Sequence, residues 1–509
     1  MNNQSMTIYD GLRPSRRMGM GFLLIVSTAL TACSQLPAPP VTRVTVTPAF
    51  VGPASSDAVD AQWWRRFQDP VLDQWVAAAI AQNPDIHMAQ QRWQAAQAGV
   101  QASSSRLLPT VALNGSQSSS HSALPDTVKK GMPDTNAQRI SVNADWQLDV
   151  FGANRAAATA TLRDAQAAEW GVAGSQLLVV SNVVRQYVLW QATAERLRLL
   201  QAVIASQRTT ESLIARRQAE GLASDFDQSL LQAERTQNEA QIGSLQAALS
   251  VAGYRLAVLS GQNPSATMLN LTPRPPSAWP QVQQLPVGQP ADLLRRRPDL
   301  RAAEAHLAAT SAQLASAQAE RYPQLFASAV WGEQKLTLNG LALAASSYRN
   351  VALAFSQPLL NRGRINANIK ASSAREQEAL SQYDSNILTA LEQVESTLAA
   401  QRGELARAEQ LQATLMARQR SRQHAESLYR EGQTGLMPLL ELQRGVLAAE
   451  LAVVDSRQQQ LFNMVQLYQT LGGGWESFSP DLAQRAQQST PPAVVDLFPV
   501  ASAPQGGQP

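Results

Sequence analysis

One structural unit occurs twice in this chain, and the duplication limits the possible folds more than any other feature of the sequence. The motif Asn-Pro-Asp-Ile at residues 83–86 returns as Arg-Pro-Asp-Leu at residues 297–300, a spacing of 214 positions. The pair Glu-Gly at residues 220–221 returns at residues 431–432, a spacing of 211 positions. Matches at nearly constant spacing predict two copies of one supersecondary unit.

The two copies also set the limits of the other segments. The tail after the second copy is rich in proline and glutamine, which favours disorder. The predicted segments are a lipoprotein signal peptide (1–32), an acylated extended segment (33–69), the first repeat (70–262), a linker (263–284), the second repeat (285–474) and a disordered tail (475–509).

Each repeat contains segments in which apolar and polar side chains alternate, as they do in strands with one wet face. Residues 140–148 show the clearest alternation, residues 111–114 and 350–355 show shorter runs, and residues 325–331 are a weaker candidate. We therefore predict two strands per repeat, joined by polar loops at residues 116–136 and 332–346. The pattern alone also allows two soluble hairpins packed on a helical core.

Long helical stretches make up most of each repeat. Residues 154–220 contain no proline. Within them Val183, Tyr187 and Trp190 begin a series of apolar residues spaced by four and three positions, which is the spacing of a coiled-coil seam. The predicted fold is mostly α, with two strands and long coiled-coil helices in each repeat.

Four strands with an apolar face cannot close a barrel by themselves. In lipid, the open edges would leave backbone groups without hydrogen bonds, and small closed barrels need about eight strands. Either the strands pack on protein, or several chains combine them. Three chains would form a membrane β-barrel of twelve strands, and the long helices would continue its wall as a tube.

The single cysteine, Cys33, follows a segment typical of exported bacterial lipoproteins. Three arginines precede an apolar run at residues 22–32, and the sequence Leu-Thr-Ala-Cys at residues 30–33 resembles a lipobox. Ser34, rather than an aspartate, follows the cysteine, which favours the outer membrane as destination. An uncleaved membrane anchor and a buried free thiol remain the alternatives.

Several classes of protein fit this sequence poorly. The formal net charge is only +3, which argues against a nucleic-acid partner. Four scattered histidines and one cysteine give no metal-binding spacing, and no nucleophile elbow or phosphate-binding loop is present. We therefore expect no enzyme activity, no cofactor and no metal. After Cys33, no segment has the ~20 consecutive apolar residues of a membrane-spanning helix.

Four features carry a resemblance to a known family: the duplicated order, the Trp-Trp-Arg-Arg-Phe-Gln-Asp-Pro run at residues 63–70, the two Pro-Asp turns and the lipobox. Together they resemble the outer membrane factor family, in its TolC-like, NodT-type lipoprotein branch. The resemblance covers residues 60–475. It implies a homotrimer in the Gram-negative outer membrane, with a twelve-stranded barrel over an α-helical periplasmic tunnel.

The resemblance also implies a function and partners. A periplasmic adaptor protein and an inner-membrane efflux pump would deliver small molecules, such as drugs or aromatic compounds, for passive export through the tunnel. The exit duct of a type I protein secretion system is an alternative that uses the same fold. A periplasmic coiled-coil scaffold lipoprotein that forms no channel is another.

The family places a periplasmic gate just after the second hairpin turn. By position, the resemblance assigns an apolar constriction to Met437, an acidic ring to Glu441 and its basic partner to Arg444. The sequence has glutamate where the family commonly has aspartate. A simple exposed ion pair between Glu441 and Arg444 is the alternative. The candidate adaptor-docking residues in the two turns are Gly221, Ser224, Asp225, Gly432 and Gly435.

Replacing Cys33 with serine should abolish metabolic labelling by palmitate, because the thiol accepts the lipid. Replacing Ser34 with alanine is the matched control and should leave the label in place. Labelling that persists in the Cys33→Ser variant would show that the acyl chain is attached elsewhere.

Overall fold

The computed structural model describes residues 38–47, 49–50, 60–121, 123, 125, 134–221, 223–267, 271, 273–275, 279–280 and 288–488. Cys33, which carries the predicted lipid, lies outside the described residues. The described chain forms two compact units. The first is built mainly from the described residues of Ala96–Ala165 and His306–Ala379, and the second from the described residues of Val41–Ala95, Gln166–Ala305 and Leu380–Pro509.

The first unit contains an antiparallel sheet. Its described strands are β1 (Thr110–Ser120), β2 (Thr135–Leu148), β3 (Gln324–Leu338), β4 (Leu341–Ala342) and β5 (Ser346–Ser356). Their order is β1-β2-β3-β5, and the short β4 also pairs with β3. The strands are longer than the alternation predicted, and residues 116–120 and 332–338 are strand rather than loop. Ladder hydrogen bonds join backbone groups, so polar segments can extend a strand without an apolar pattern.

The pairing register gathers the apolar side chains on one face of this sheet. Val142 of β2 lies between Leu113 of β1 and Trp331 of β3, and directly paired residues share a face. The large apolar side chains exposed on this face are Val111, Leu113, Ile140, Val142, Trp146, Trp331, Val351, Leu353 and Phe355. A continuous apolar face that is exposed in one chain marks a surface that contacts lipid or protein.

The exposure of this face decides between the alternatives left by the sequence. Val351 of β5 is 83% exposed. Hairpins that packed their apolar side on a helical core would bury such residues, so that alternative is wrong. Glu333 is the next residue of β3 on this face after Trp331, and Arg349 of β5 pairs directly with Trp331, so two charged side chains mark one limit of the apolar band on these strands.

The sheet remains open at both edges. Among the described residues, no strand pairs with the outer side of β1 or of β5. These two strands run in opposite directions, because three antiparallel pairings separate them. Strand β5 can therefore continue the antiparallel ladder with β1 of another copy.

Long helices dominate the rest of the chain. The described α-helices are α1 (Pro70–Gln82), α2 (Pro84–Ser105), α3 (Ala153–Ala219), α4 (Asp225–Leu259), α5 (Pro264–Thr267), α6 (Leu293–Arg296), α7 (Pro298–Ala319), α8 (Arg362–Arg430), α9 (Leu436–Thr470) and α10 (Pro480–Gln488). Helices α3 and α8 have 67 and 69 residues. At ~1.5 Å per residue, each is about 100 Å long. The predicted seam residues Val183, Tyr187 and Trp190 are buried.

By length and composition alone, α4 is the one helix in the described part of the chain that could cross a membrane. Its buried residues include Leu231, Ala252 and Leu256. Part of the surface of α4 therefore packs against other segments of the protein.

The repeated Pro-Asp turns join the two ends of each repeat. The side-chain amide of Asn83 donates to the carbonyl of Leu259 at 2.7 Å, at the end of α4. In the second copy, the Arg297 guanidinium donates to the carbonyl of Thr470 at 3.0 Å, at the end of α9. Carbonyl groups at helix ends lack partners within the helix, so both contacts satisfy them.

A glycine makes each of these approaches possible. Gly261 has φ +69, and a Cβ there would lie 2.3 Å from the carbonyl oxygen of Gln82. Gly472 has φ +71, and a Cβ there would lie 2.9 Å from the Cα of Arg297. Only glycine adopts this left-handed backbone without strain and leaves room for the neighbouring chain.

The prediction of a disordered tail from residue 475 is wrong for residues 475–488. Trp475 is buried and lies edge-on to Trp170, with ring centroids 5.5 Å apart. Helix α10 adds Leu482 to the same cluster. Most of the prolines on which the prediction rested come after residue 490, whereas these apolar side chains anchor the preceding segment. Residues 489–509 lie outside the described part of the chain.

Replacing Leu353 with arginine should destabilise the assembled protein by ~2–4 kcal/mol, because Leu353 lies between Val351 and Phe355 on the apolar face that is expected to contact lipid. Ala352→Arg is the matched control, since the neighbouring residue points to the opposite face. The yield of assembled protein from outer membranes and its urea midpoint are the measurements. Equal losses for the two variants would contradict the assignment of faces.

Candidate functional site at the ends of the helical hairpins

The two helical hairpins end in similar turns within the second unit. Helices α3 and α4 meet at Gly221, and helices α8 and α9 meet at Gly432. The two glycines have φ +75 and +74, which is the left-handed conformation common after a helix C-terminus. The amide of Gln433 donates to the carbonyl of Leu428 at 2.8 Å and closes the second turn. Both glycines are exposed, as a docking surface requires.

The other predicted docking residues begin the second helix of each hairpin. The hydroxyl of Ser224 accepts a hydrogen bond from the amide of Asp227 at 3.2 Å, and the Asp227 carboxylate accepts from the amide of Ser224. This capping box starts α4. Asp225 accepts from the side chain of Gln218. Gly435 precedes α9 and makes no side-chain cap.

An apolar cluster joins the two hairpins in the helical segments that flank these turns. All four long helices contribute to it, so it fixes the hairpin ends against each other. Its buried members are Ile214 of α3, Leu231 of α4, Ala425 and Tyr429 of α8, and Leu436, Leu439 and Leu440 of α9.

Arg217 adds a polar connection between the hairpins that sequence reasoning missed. Its guanidinium donates to the carbonyls of Tyr429 and Arg430 at 3.2 and 2.8 Å, at the C-terminus of α8. It also lies 5.0 Å from the centroid of the Tyr429 ring. The cation thus satisfies helix-end carbonyls and interacts with an aromatic face. Burial raises the pKa of the Tyr429 phenol, so the ring stays neutral at physiological pH.

The three predicted gate residues lie on the first turns of α9. Met437 is 50% exposed and stands outside the apolar cluster. The Glu441 side chain is 74% exposed. These residues are four positions apart on α9 and therefore share a helix face. In the single chain, this face is open to solvent.

Arg444 connects this face to the first hairpin. Its guanidinium lies 3.2 Å from Glu441 on its own helix and 2.5 Å from Glu234 on α4. The hydrogen bond to Glu234 is the main cause that raises the pKa of Arg444 above its ordinary value, so the cation stays charged. The sequence identified Glu441 as a partner but not Glu234, because the latter contact joins residues 210 positions apart.

Among the described residues, no group of three or more histidine, cysteine, aspartate or glutamate side chains is arranged to hold a metal ion. The chemistry of the hairpin ends is therefore that of apolar packing, ion pairs and exposed charge.

Comparisons with known proteins agree with this architecture. The profile of the outer membrane efflux protein family matches residues 75–260 and 290–473. The pyoverdine export outer membrane protein OpmQ of Pseudomonas putida is 30% identical over 472 residues, which cover 90% of this chain and 98% of the relative. The toluene efflux pump outer membrane protein TtgC of Pseudomonas putida is 27% identical over 488 residues, which cover 92% of this chain and 98% of the relative.

Solved structures show the same fold. The outer-membrane channel OprN matches with a TM-score of 0.78 and 27% identity, and the match covers 86% of this chain and 99% of OprN. The CmeC outer membrane channel of Campylobacter jejuni matches with a TM-score of 0.79 and 18% identity, over 89% of this chain and 98% of CmeC.

Replacing Leu440 with alanine should loosen the hairpin ends, because removal of a buried leucine side chain costs ~2–5 kcal/mol. Met437→Ala is the matched control on the exposed side of the same helix and should have little effect. Amide hydrogen exchange over residues 425–445 is the measurement. We expect at least a tenfold loss of protection for the first variant, and similar protection in both variants would contradict the packing role of Leu440.

Proposed function

This chain belongs to the outer membrane efflux protein family, and from that membership we propose that its hairpin ends form the periplasmic gate of a trimeric export channel. Members of this family are channel proteins and not enzymes, and this protein is the outer-membrane channel of a tripartite efflux system. Assembly as a trimer with a pump follows from the family. The exposed apolar face of the sheet and its two open edges support that assembly.

The gate proposal depends on the exposed face of α9. Met437 and Glu441 lie on this face, and the described part of the chain leaves half or more of each side chain exposed. Around a threefold axis, three copies of Met437 would narrow the opening and three copies of Glu441 would form an acidic ring. A ring of carboxylates in a narrow pore favours cations over anions.

The contacts between the hairpins support a closed resting state. Arg444 binds Glu234, and Arg217 binds the end of α8, so each arginine links the second hairpin to the first. In the opening motion that we propose, one hairpin moves relative to the other. The two arginines therefore stabilise the closed state.

We assign the remaining roles by the same reasoning. The exposed turn residues Gly221, Ser224, Asp225, Gly432 and Gly435 would contact a periplasmic adaptor, and an acyl chain on Cys33 would fix the chain to the outer membrane. The names of the relatives refer to pyoverdine export and to toluene efflux. We propose small organic molecules of these kinds as the cargo of this channel.

Export is tested by complementation of a strain that lacks this protein. The deletion should lower the inhibitory concentrations of toluene and of hydrophobic antibiotics at least fourfold, and the wild-type chain should restore them. A wild-type chain that reaches the outer membrane but restores neither export nor ion conductance would overturn the proposal.

The gate is tested in planar bilayers through the Arg444–Glu234 pair. An exposed ion pair contributes ~0.2–1 kcal/mol, so its loss in three copies should raise the ratio of open to closed channels roughly threefold to hundredfold. We expect this increase for Arg444→Ala and for Glu234→Ala. The double variant should add little, because both substitutions remove the same contact.

Arg420→Ala supplies the control, since this exposed arginine of α8 lies away from the hairpin contacts. If Arg420→Ala and Arg444→Ala raise the open fraction equally, the effect comes from net charge and not from the pair.

Glu441→Ala should reduce the preference for cations, because it removes the acidic ring, whereas Glu441→Asp should retain most of it. Reversal potentials in a salt gradient measure this preference. Unchanged selectivity in Glu441→Ala would place the selective ring elsewhere in the channel.

A further inference from the structure

An aromatic contact closes the junction between the two repeats at one end of the sheet. Phe151 follows β2 of the first repeat, and Tyr322 precedes β3 of the second. Their rings are stacked, with centroids 5.0 Å apart and planes inclined by 13°. The contact lies where the paired strands β2 and β3 leave the sheet, and all of its residues belong to the first unit.

The duplication identifies the counterparts of both aromatic residues. Helices α3 and α8 begin at Ala153 and Arg362, a spacing of 209 positions, which relates Phe151 to Leu360. Strands β1 and β3 begin 214 positions apart, which relates Tyr322 to Leu108. The counterparts of the stacked pair are therefore two leucines.

Neither leucine has a comparable contact with another described residue. Leu360 is fully exposed, and Leu108 is 65% exposed. Leu360 follows β5 and Leu108 precedes β1, so the two residues lie at opposite edges of the sheet. Three strand spacings of ~4.8 Å separate these edges, which is too far for direct contact.

We infer that Leu360 of one chain packs on Leu108 of the next chain and repeats, between subunits, the contact that Phe151 and Tyr322 make within one chain. This inference rests on the proposed trimeric channel. In a ring of three chains, β5 meets the next chain's β1 as β2 meets β3 within a chain. Six similar junctions result, three of them inside chains and three between chains.

The partner that packs on the exposed leucines is thus a second copy of this chain. Continuity of the antiparallel ladder supports this choice, because β5 and β1 are the two open edges and run in opposite directions. Leucine carries no aromatic ring, so the contact between chains would be aliphatic.

Disulfide cross-linking of the full-length chain tests the contact. The variant Leu108→Cys/Leu360→Cys is oxidised mildly in the membrane and separated on a non-reducing gel. A disulfide requires Cα atoms ~4.4–6.8 Å apart, so it forms only if the two positions meet. We expect covalently linked dimers and trimers, and neither product from either single variant. Cys33 is present in every variant and serves as a constant background.

The matched control moves one cysteine along the same edge strand. Ser118 lies ten residues beyond Leu108, about 33 Å farther along the strand, so Ser118→Cys/Leu360→Cys should not cross-link. Equal cross-linking of the control and the test pair, or a product formed within a single chain, would overturn the inference.

Mass measurement in mild detergent distinguishes the absence of the leucine contact from the absence of a trimer. Intact trimers without cross-links would overturn the leucine contact alone and would indicate that lipid covers these residues. Chains that remain monomeric would overturn the trimeric channel itself.

If the cysteine variant does not fold, the variant Leu108→Tyr/Leu360→Phe replaces it. Rebuilding the aromatic stack should raise the temperature at which trimers dissociate in detergent, and an unchanged or lower temperature would contradict the contact.

Discussion

Backbone groups that enter a bilayer must all be hydrogen-bonded, because lipid offers them no partner. One chain cannot meet this requirement, since its sheet presents an apolar face and leaves β1 and β5 unpaired among the described residues. Each unpaired group would cost several kcal/mol in lipid, so the two open edges strongly oppose insertion of a single sheet. Assembly of several chains is therefore a condition for membrane insertion, and the opposite directions of β1 and β5 make an antiparallel closure possible.

The helical part of each repeat is held by a different set of contacts. Asn83 and Arg297 bind the last carbonyls of α4 and α9, and Gly261 and Gly472 allow the chain to pass close to them. These contacts join the first helix of a repeat to its last. They explain why the Pro-Asp turns and the glycines occur in both copies, because each copy makes the same contact between its first and last helices.

Much of this architecture could be predicted from local patterns. Alternation located the strands, and spacings of four and three located the helical seam, since both reflect which face of an element is covered. Local patterns carry no information about contacts between distant segments, so Arg217 and Glu234 were missed at the hairpin ends. The extent of the strands was underestimated because backbone pairing requires no apolar side chains. Composition also led to a wrong prediction of disorder for residues 475–488, where burial of Trp475 orders a segment that is otherwise largely polar.

The stacked Phe151 and Tyr322 have a consequence for the order of assembly. These rings belong to one chain, so they meet at an effective concentration that does not change when the protein is diluted. A junction between chains forms only after a collision, and its rate falls with concentration. The four long strands should therefore be joined before any second chain arrives. The membrane then receives three preformed sheets rather than twelve separate strands, which shortens the search for the correct neighbours.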